Sequence, residues 1–346
     1  MRAEPYRAPA WLPGAHAQTV WPALLCPRPA VTYRRERWDT PDGDFIDLDW
    51  IGPELSNAPA LVVLFHGLEG SSGSHYARAL MAQTAAQGLA GVVVHFRGCG
   101  GALNRLPRAY HSGDSAEIDW ILRRLRTALP SAAPLLVAGV SLGGNVLLKW
   151  LGEQGNDAIF VAAAVAFCPP QSLQAGAVAL KQGFSRLYAR NFLVSLKRKS
   201  LQLAHRFPGL LDVSRVRSAR DFFDFDEHVT ARLHGFRSAI DYWQRCSCRQ
   251  FLGGIEVPTL IVNALNDPFL PAQFLAQPRE VSARVSLEYP ATGGHVGFAR
   301  GALPGRLDWL PHRAFDHFSR YARLPQDRAC GVAPPTDPTT GDRHAA

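Results

Sequence analysis

The sequence predicts a doubly wound, mostly parallel α/β sheet interrupted by a helical insertion, and three observations carry that prediction. Short, continuous apolar runs recur at Leu61–Phe65, Gly91–Phe96, Leu135–Ala138, Phe160–Phe167 and Thr259–Val262, as strands buried on both faces require. Helix-period stretches alternate with them at Tyr76–Gln87, Ala116–Ala128 and Gly144–Glu153, the rhythm of right-handed strand–helix–strand crossovers. That rhythm breaks after Pro169-Pro170, and β-type runs resume only at Val257.

The elements follow in chain order. Thr32-Tyr33 and Asp44–Trp50 read as antiparallel strands joined by the turn Pro41-Asp42-Gly43, since Pro-Asp-Gly favours a tight reversal. The parallel runs and their helices occupy residues up to 170. Residues 171–252 are mostly helical in pattern and form a lid over the carboxyl edge of the sheet. The core resumes over 253–324, with a last strand near Val285–Tyr289 and a terminal amphipathic helix. That helix places His312 and His317 at the surface. Residues 325–346, rich in Pro, Thr, Gly and Asp with few large apolar side chains, are expected to be disordered.

A chain of 346 residues with 47% hydrophobic and 19% charged content buries a full core and a pocket. Six scattered cysteines without disulfide-framework or metal-ligand spacing fit reduced thiols. Met1–Gln18 lacks an apolar signal region and the most apolar stretch, Ile159–Cys168, is too short to span a bilayer; a cytoplasmic protein is expected. The net charge of +8 is concentrated between Lys181 and Arg220, where ten Lys or Arg meet one acid, Asp212. No basic–aromatic interleaving or nucleic-acid module accompanies it. The segment reads either as a solvated helical face or as a weak attractor for anionic lipid surfaces, with Leu193, Leu196, Leu201 and Leu203 near Lys197, Arg198 and Lys199.

Gly139-Val140-Ser141-Leu142-Gly143 lies between an apolar strand and a helix-period run. A serine lifted on a sharp strand–helix turn needs small neighbours two residues either side, which Gly139 and Gly143 supply. Ser141 is the candidate nucleophile. His66-Gly67-Leu68-Glu69-Gly70 follows an early strand; its Leu68 amide and the Leu142 amide are the candidate oxyanion donors.

The acid and base must then follow in chain order. Asp267, in Asn266-Asp267-Pro268 after the strand ending at Val262, is the candidate acid. His295, on the glycine-rich loop Thr292–Phe298, is the candidate general base. His66 precedes the nucleophile and shapes the oxyanion loop instead. No HExxH, CxxC pair or dinucleotide or P-loop glycine pattern occurs. The expected chemistry therefore uses neither metal nor cofactor.

These motifs, together with His16-Ala17-Gln18-Thr19, His95-Phe96-Arg97-Gly98-Cys99, Tyr110-His111-Ser112-Gly113, Gly183-Phe184-Ser185-Arg186, Leu233-His234-Gly235-Phe236 and Asp267-Pro268-Phe269, carry a resemblance. From about Ala15 to Leu324 the chain resembles the YheT-like α/β-hydrolases. The resemblance implies an α/β-hydrolase fold and a Ser–Asp–His triad mapping onto Ser141, Asp267 and His295. It implies hydrolysis of small-molecule carboxylic esters, some members being linked to lipid-ester chemistry, with acyl transfer to an alcohol as the alternative. A ligand-binding homologue without chemistry is the remaining reading. Such proteins often carry an acid before the triad Asp, where this chain has Asn266. Arg97, Tyr110 and His111 either line the pocket or, the preferred reading, tie loops beneath the site.

Overall fold

The computed structural model describes residues 5–324; the tail expected to be disordered lies outside the described residues. Eight strands make one sheet: β1 (Arg34–Asp39), β2 (Phe45–Ile51), β3 (Leu61–Phe65), β4 (Ala90–His95), β5 (Leu135–Val140), β6 (Val161–Phe167), β7 (Thr259–Val262) and β8 (Val285–Glu288). Their spatial order is β1-β2-β4-β3-β5-β6-β7-β8. From β4 onward every neighbouring pair is parallel, while β1–β2 and β2–β4 are antiparallel.

The eleven α-helices of the described residues are α1 (Ala15–Leu24), α2 (His75–Ala86), α3 (Ser115–Ala128), α4 (Leu142–Gln154), α5 (Leu173–Ala179), α6 (Ser185–Arg206), α7 (Val213–Ser218), α8 (Phe222–Phe225), α9 (Ala231–His234), α10 (Ala239–Cys246) and α11 (Trp309–Phe318). Each sheet face meets its own helices. Ile118 and Leu122 of α3 pack with Val146 and Trp150 of α4 on one face. Leu80 and Met81 of α2 pack with Phe315 and Phe318 of α11 on the other. Coverage of both faces is why the central strands are apolar at successive positions rather than at alternate ones.

Helices α5–α10 all lie between β6 and β7, within the stretch whose pattern turned helical. They hold a small core of their own, including Leu193, Val216 and Phe225. Between α8 and α9 the chain makes a single π-helical turn over Asp226–Thr230.

Two expectations need correction. The first strand is Arg34–Asp39 and not Thr32-Tyr33. Its charged sequence hides it from an apolar scan, because Arg35 and Arg37 pair directly across the ladder with Asp49 and Asp47, at 2.7 and 2.8 Å. Cross-strand ion pairs stabilise an exposed edge that apolar residues would leave sticky. The second concerns His317. It is buried, with Nε2 donating to the Pro258 carbonyl at 3.2 Å. Its helix packs against the sheet on a wider face than periodicity suggests.

The strand order also locates the site. β3 and β5 are neighbours, yet the chain leaves β3 for β4 on one side and returns to β5 on the other. At such a switch point the loops leaving the carboxyl ends part and open a crevice. The His66–Gly70 loop leaves β3 and Ser141 leaves β5, side by side.

Candidate active site

Ser141 connects β5 directly to α4 with φ 52° and ψ −119°, a conformation costing a non-glycine residue about 1–3 kcal/mol. Its amide donates to the Phe167 carbonyl at 2.8 Å, and its carbonyl accepts the first helical bond of α4, from Asn145 at 3.0 Å. The turn is therefore held from both sides. Gly143 is required here, because a side-chain carbon would lie 2.3 Å from the Phe65 carbonyl oxygen. Gly139 faces the same helix start across the turn.

Ser141 Oγ lies 2.9 Å from His295 Nε2, and His295 Nδ1 lies 2.8 Å from Asp267 Oδ2. A carboxylate can only accept, so Nδ1 carries the proton and Nε2 is free to accept from the serine hydroxyl. The other carboxylate oxygen of Asp267 accepts the Phe269 amide at 2.8 Å. The Phe269 ring stacks on the imidazole, with centroids 3.9 Å apart and planes within 9°. The three residues predicted as acid, base and nucleophile thus meet, although 28 and 154 residues of chain separate His295 from its two partners.

The loop carrying His295 is fastened at each successive amide. Gly293 donates to Gln18 Oε1, Gly294 to Asn266 Oδ1, His295 to Thr19 Oγ1 and Val296 to Cys168 Sγ, at 2.9, 3.0, 2.9 and 3.3 Å. His75 Nε2 donates to the Val296 carbonyl at 2.9 Å. Val296 and Phe298 both adopt positive φ, 58° and 45°, a strained path that persists only when its surroundings over-determine it. Asn266 uses both ends of its amide, since its Nδ2 also donates to Gln18 Oε1 at 2.9 Å. An acid at that position would lack this donor.

The candidate oxyanion loop passes close enough to Ser141 that a side-chain carbon on Gly67 would sit 3.2 Å from Ser141 Cβ. Its Gly67, Glu69 and Gly70 amides are occupied by Tyr76 Oη, Tyr110 Oη and the Gly67 carbonyl, at 2.8, 2.9 and 2.9 Å. Leu68 supplies the loop amide that has no acceptor among the described residues. The Leu142 amide precedes the first helical bond of α4 and also lacks an intrahelical acceptor. His66 is buried, and burial lowers its pKa to about 3. Nε2 accepts the Phe96 amide at 3.1 Å and Nδ1 donates to the Gly67 carbonyl at 2.7 Å. It shapes the loop and has no nitrogen left to act as a base.

Above Ser141 lies a mostly apolar pocket lined by Leu142, Leu180, Phe192, Leu196, Phe225 and Trp243 among others. One carboxylate reaches it. Asp226 accepts from Trp243 Nε1 and Thr230 Oγ1, at 2.7 and 2.6 Å, and burial raises its pKa to about 6. Tyr110 and His111 line the pocket, whereas Arg97 is bonded to Asp44 and Glu117 at 3.0 and 2.6 Å and lines a second pocket beside Glu69 and Lys199. Of the three, Tyr110 and His111 shape the pocket above Ser141, and Arg97 ties loops outside it.

Among the described residues one trio has metal-compatible donor atoms in reach of each other: Cys168, Asp267 and His295, within 4.8 Å. Burial pushes the Cys168 thiol well above its usual pKa. Its Sγ accepts from Val296, and both imidazole nitrogens already have partners. The same donors therefore serve a hydrogen-bonded chain.

The residue-by-residue reading missed Gln18, Thr19, His75, Cys168 and Phe269. The signal for Gln18, Thr19 and Phe269 lay only in the stretches His16-Ala17-Gln18-Thr19 and Asp267-Pro268-Phe269.

The sequence profile described as the alpha/beta hydrolase fold matches residues 60–302. The chain is 40% identical over 309 residues to YheT of Escherichia coli (strain K12), whose name gives its esterase label as provisional; the match covers 88% of this chain and 90% of that protein. It is 29% identical to the phospholipase ABHD3 of Mus musculus, over 91% of this chain and 78% of the relative. Among solved structures, the Pyrococcus furiosus esterase Pf2001 shares the fold with a TM-score of 0.54 and 16% identity, over 85% of this chain and 98% of that one.

Proposed function

The chain belongs to the α/β-hydrolase family and, within it, to the YheT-like group, and from that premise we propose that it hydrolyses carboxylic esters through an acyl-enzyme on Ser141. The observation that carries this reading is the run of hydrogen bonds, 2.9 and 2.8 Å long, from Ser141 through His295 to Asp267 beneath an apolar pocket.

In this reading His295 Nε2 takes the Ser141 hydroxyl proton as Oγ attacks the ester carbonyl. Asp267 keeps the ring in the right tautomer and stabilises the imidazolium. The carbonyl oxygen becomes an oxyanion facing the amides of Leu68 and Leu142. Donors fixed before the reaction need no reorganisation during it, which makes this a large part of the rate. As the tetrahedral intermediate collapses, the C–O bond to the alcohol breaks and His295 returns its proton to the departing oxygen. Water then enters, gives its proton to His295 and attacks the acyl carbon. The acid leaves and Ser141 regains its proton.

The apolar lining supports an acyl chain as the group held in the pocket, in keeping with a lipid-like ester and with a relative named as a phospholipase. The outer face of α6 supports weak attraction to an anionic lipid surface. Leu187 and Val194 are more than half exposed there, on the same helix as Arg186, Arg190 and Lys197, which line the outer groove.

The test is a chain-length series of p-nitrophenyl esters on the purified full chain, with Ser141→Ala as blank. Ser141→Ala is expected to abolish turnover; retained turnover overturns the assignment. Products formed with an added alcohol separate hydrolysis from acyl transfer. Failure of a fluorophosphonate to label Ser141 would favour a binding protein instead.

A further inference from the structure

We propose that Lys199, on helix α6 of the insertion, is a positioning residue for the oxyanion hole, holding Glu69 and thereby the backbone beside Leu68 in its donating geometry. The inference rests on the assignment of Ser141 as nucleophile and Leu68 as donor made above.

Most basic residues between Lys181 and Arg220 are exposed, but the Lys199 side chain is largely covered. Its Nζ lies 2.8 Å from Glu69 Oε1, joining residues 130 positions apart. Glu69 immediately follows Leu68 and adopts φ 55°, a backbone state that costs an ordinary side chain about 1–2 kcal/mol. Two contacts hold it there. Its amide donates to Tyr110 Oη at 2.9 Å, and Tyr110 Oη donates back to Glu69 Oε1 at 2.8 Å. Tyr110 is itself immobilised by stacking on Phe96, with ring planes within 6°. The carboxylate oxygen that Tyr110 uses is the one that Lys199 uses.

The Glu69 side chain is only 9% exposed. Without the ammonium it would be a nearly buried, uncompensated anion. It relieves that state by turning toward water, which breaks the Tyr110 contact and frees Glu69 to leave its strained φ. The peptide next to Leu68 then rotates. A hydrogen-bond donor that must reorient during the reaction loses much of its value.

The position of Lys199 on α6 has a further consequence. Phe192 and Leu196 of the same helix line the pocket above Ser141. Seating α6 over an acyl chain and completing the oxyanion hole are therefore one event. A displaced α6 would withdraw the ammonium and leave the hole slack.

The experiment compares wild type with Lys199→Met, which keeps the stem and removes the charge. kcat for a p-nitrophenyl ester is expected to fall about 10- to 100-fold with KM unchanged, a fraction of the effect of deleting a whole donor. Affinity for an alkyl trifluoromethyl ketone, which forms the tetrahedral adduct, should fall by the same factor. Affinity for a long-chain alcohol, which occupies only the apolar pocket, should not change. Lys199→Arg should recover most of the rate. In a Glu69→Gln background, Lys199→Met should add little further loss, because the two act as one unit.

Unchanged kcat and unchanged ketone affinity in Lys199→Met would overturn the inference. So would equal losses of ketone and alcohol affinity together with a lowered Tm, which mark a structural prop only. Either result, with Ser141→Ala inactive, leaves the ester-hydrolase reading intact. An active Ser141→Ala would remove the premise instead.

Discussion

Replacing Gln18 with Leu should damage catalysis from a position that touches none of the reacting atoms. Gln18 is 2% exposed. Its Nε2 donates to the Leu12 carbonyl, and its Oε1 accepts from both Gly293 and Asn266 Nδ2, each at 2.9 Å. Gly293 lies two residues before His295, and Asn266 lies one before Asp267. A single amide therefore ties the acid loop and the base loop to α1. Leucine has a similar volume and no hydrogen-bonding atoms, so three buried polar groups would lose a partner. Each such loss costs about 1–3 kcal/mol. The three share one network and relax together, so they do not simply add; a net loss of about 2–4 kcal/mol is expected. For a chain of this size that lowers Tm by roughly 3–6 °C. The catalytic effect comes from geometry. A shift of about 1 Å in a reacting group costs on the order of 100-fold in rate, and the loop holding His295 Nε2 at 2.9 Å from Ser141 would be free to shift. A 30- to 100-fold fall in kcat for p-nitrophenyl butyrate is expected, with fluorophosphonate labelling slowed in parallel. A variant with kcat within twofold of wild type and Tm within about 1 °C would refute the claim that α1 holds both loops.

Acid should destabilise the fold between pH 6.5 and 4. Burial lowers the pKa of His66 and His234 to about 3 and of His75, His111 and His317 to about 4. As pH falls through about 6.5, the unfolded chain takes up protons that the native state refuses. Each histidine then removes up to about 1.4 kcal/mol per pH unit, and stability is fully present only above that window. Asp226, raised to about 6 by burial, and Glu117, which burial also raises, work in the opposite direction but are two groups against five. Thermal melts should show a lower Tm at pH 5 than at pH 7.5, and His317→Gln should flatten the difference; equal values in wild type would refute the reasoning. Sedimentation with vesicles of phosphatidylglycerol and phosphatidylcholine should show weak binding at low salt that 0.5 M NaCl abolishes, as about a Debye length of 3–5 Å predicts. Val194→Glu should weaken it, and no binding to anionic vesicles at low salt would refute the surface assignment for α6.

Much of this protein was decided locally and could be read locally. The runs Leu61–Phe65 and Thr259–Val262 coincide with β3 and β7 as they stand, because a strand covered on both faces must be apolar throughout. Ser141 announced itself because the turn tolerates only small residues two positions away, and that steric demand is written in five consecutive letters. Asp267 and His295 followed from chain order and from their places on loops after strands.

What remained hidden depends on groups that meet only after the sheet closes. The strand Arg34–Asp39 carries charges that look solvated until Asp47 and Asp49 lie opposite them. His317 lies on a helix that reads as amphipathic, and only the packing of α11, buried at most of its positions, shows that it faces inward. Gln18 and Thr19 are ordinary helix residues by local pattern; the loop they fasten lies about 275 positions away. Lys199 belonged to a basic segment in which charge alone could not distinguish the lysine that reaches Glu69 from its nine basic neighbours. Periodicity and composition report what each residue prefers against water or a generic core. They carry no information about which particular polar partner it will face. The sequence by itself therefore determined the fold class and singled out Ser141, Asp267 and His295 as the candidate nucleophile, acid and base. The tertiary structure decided what holds them in place, because buried hydrogen bonds between distant segments are specified by chain closure.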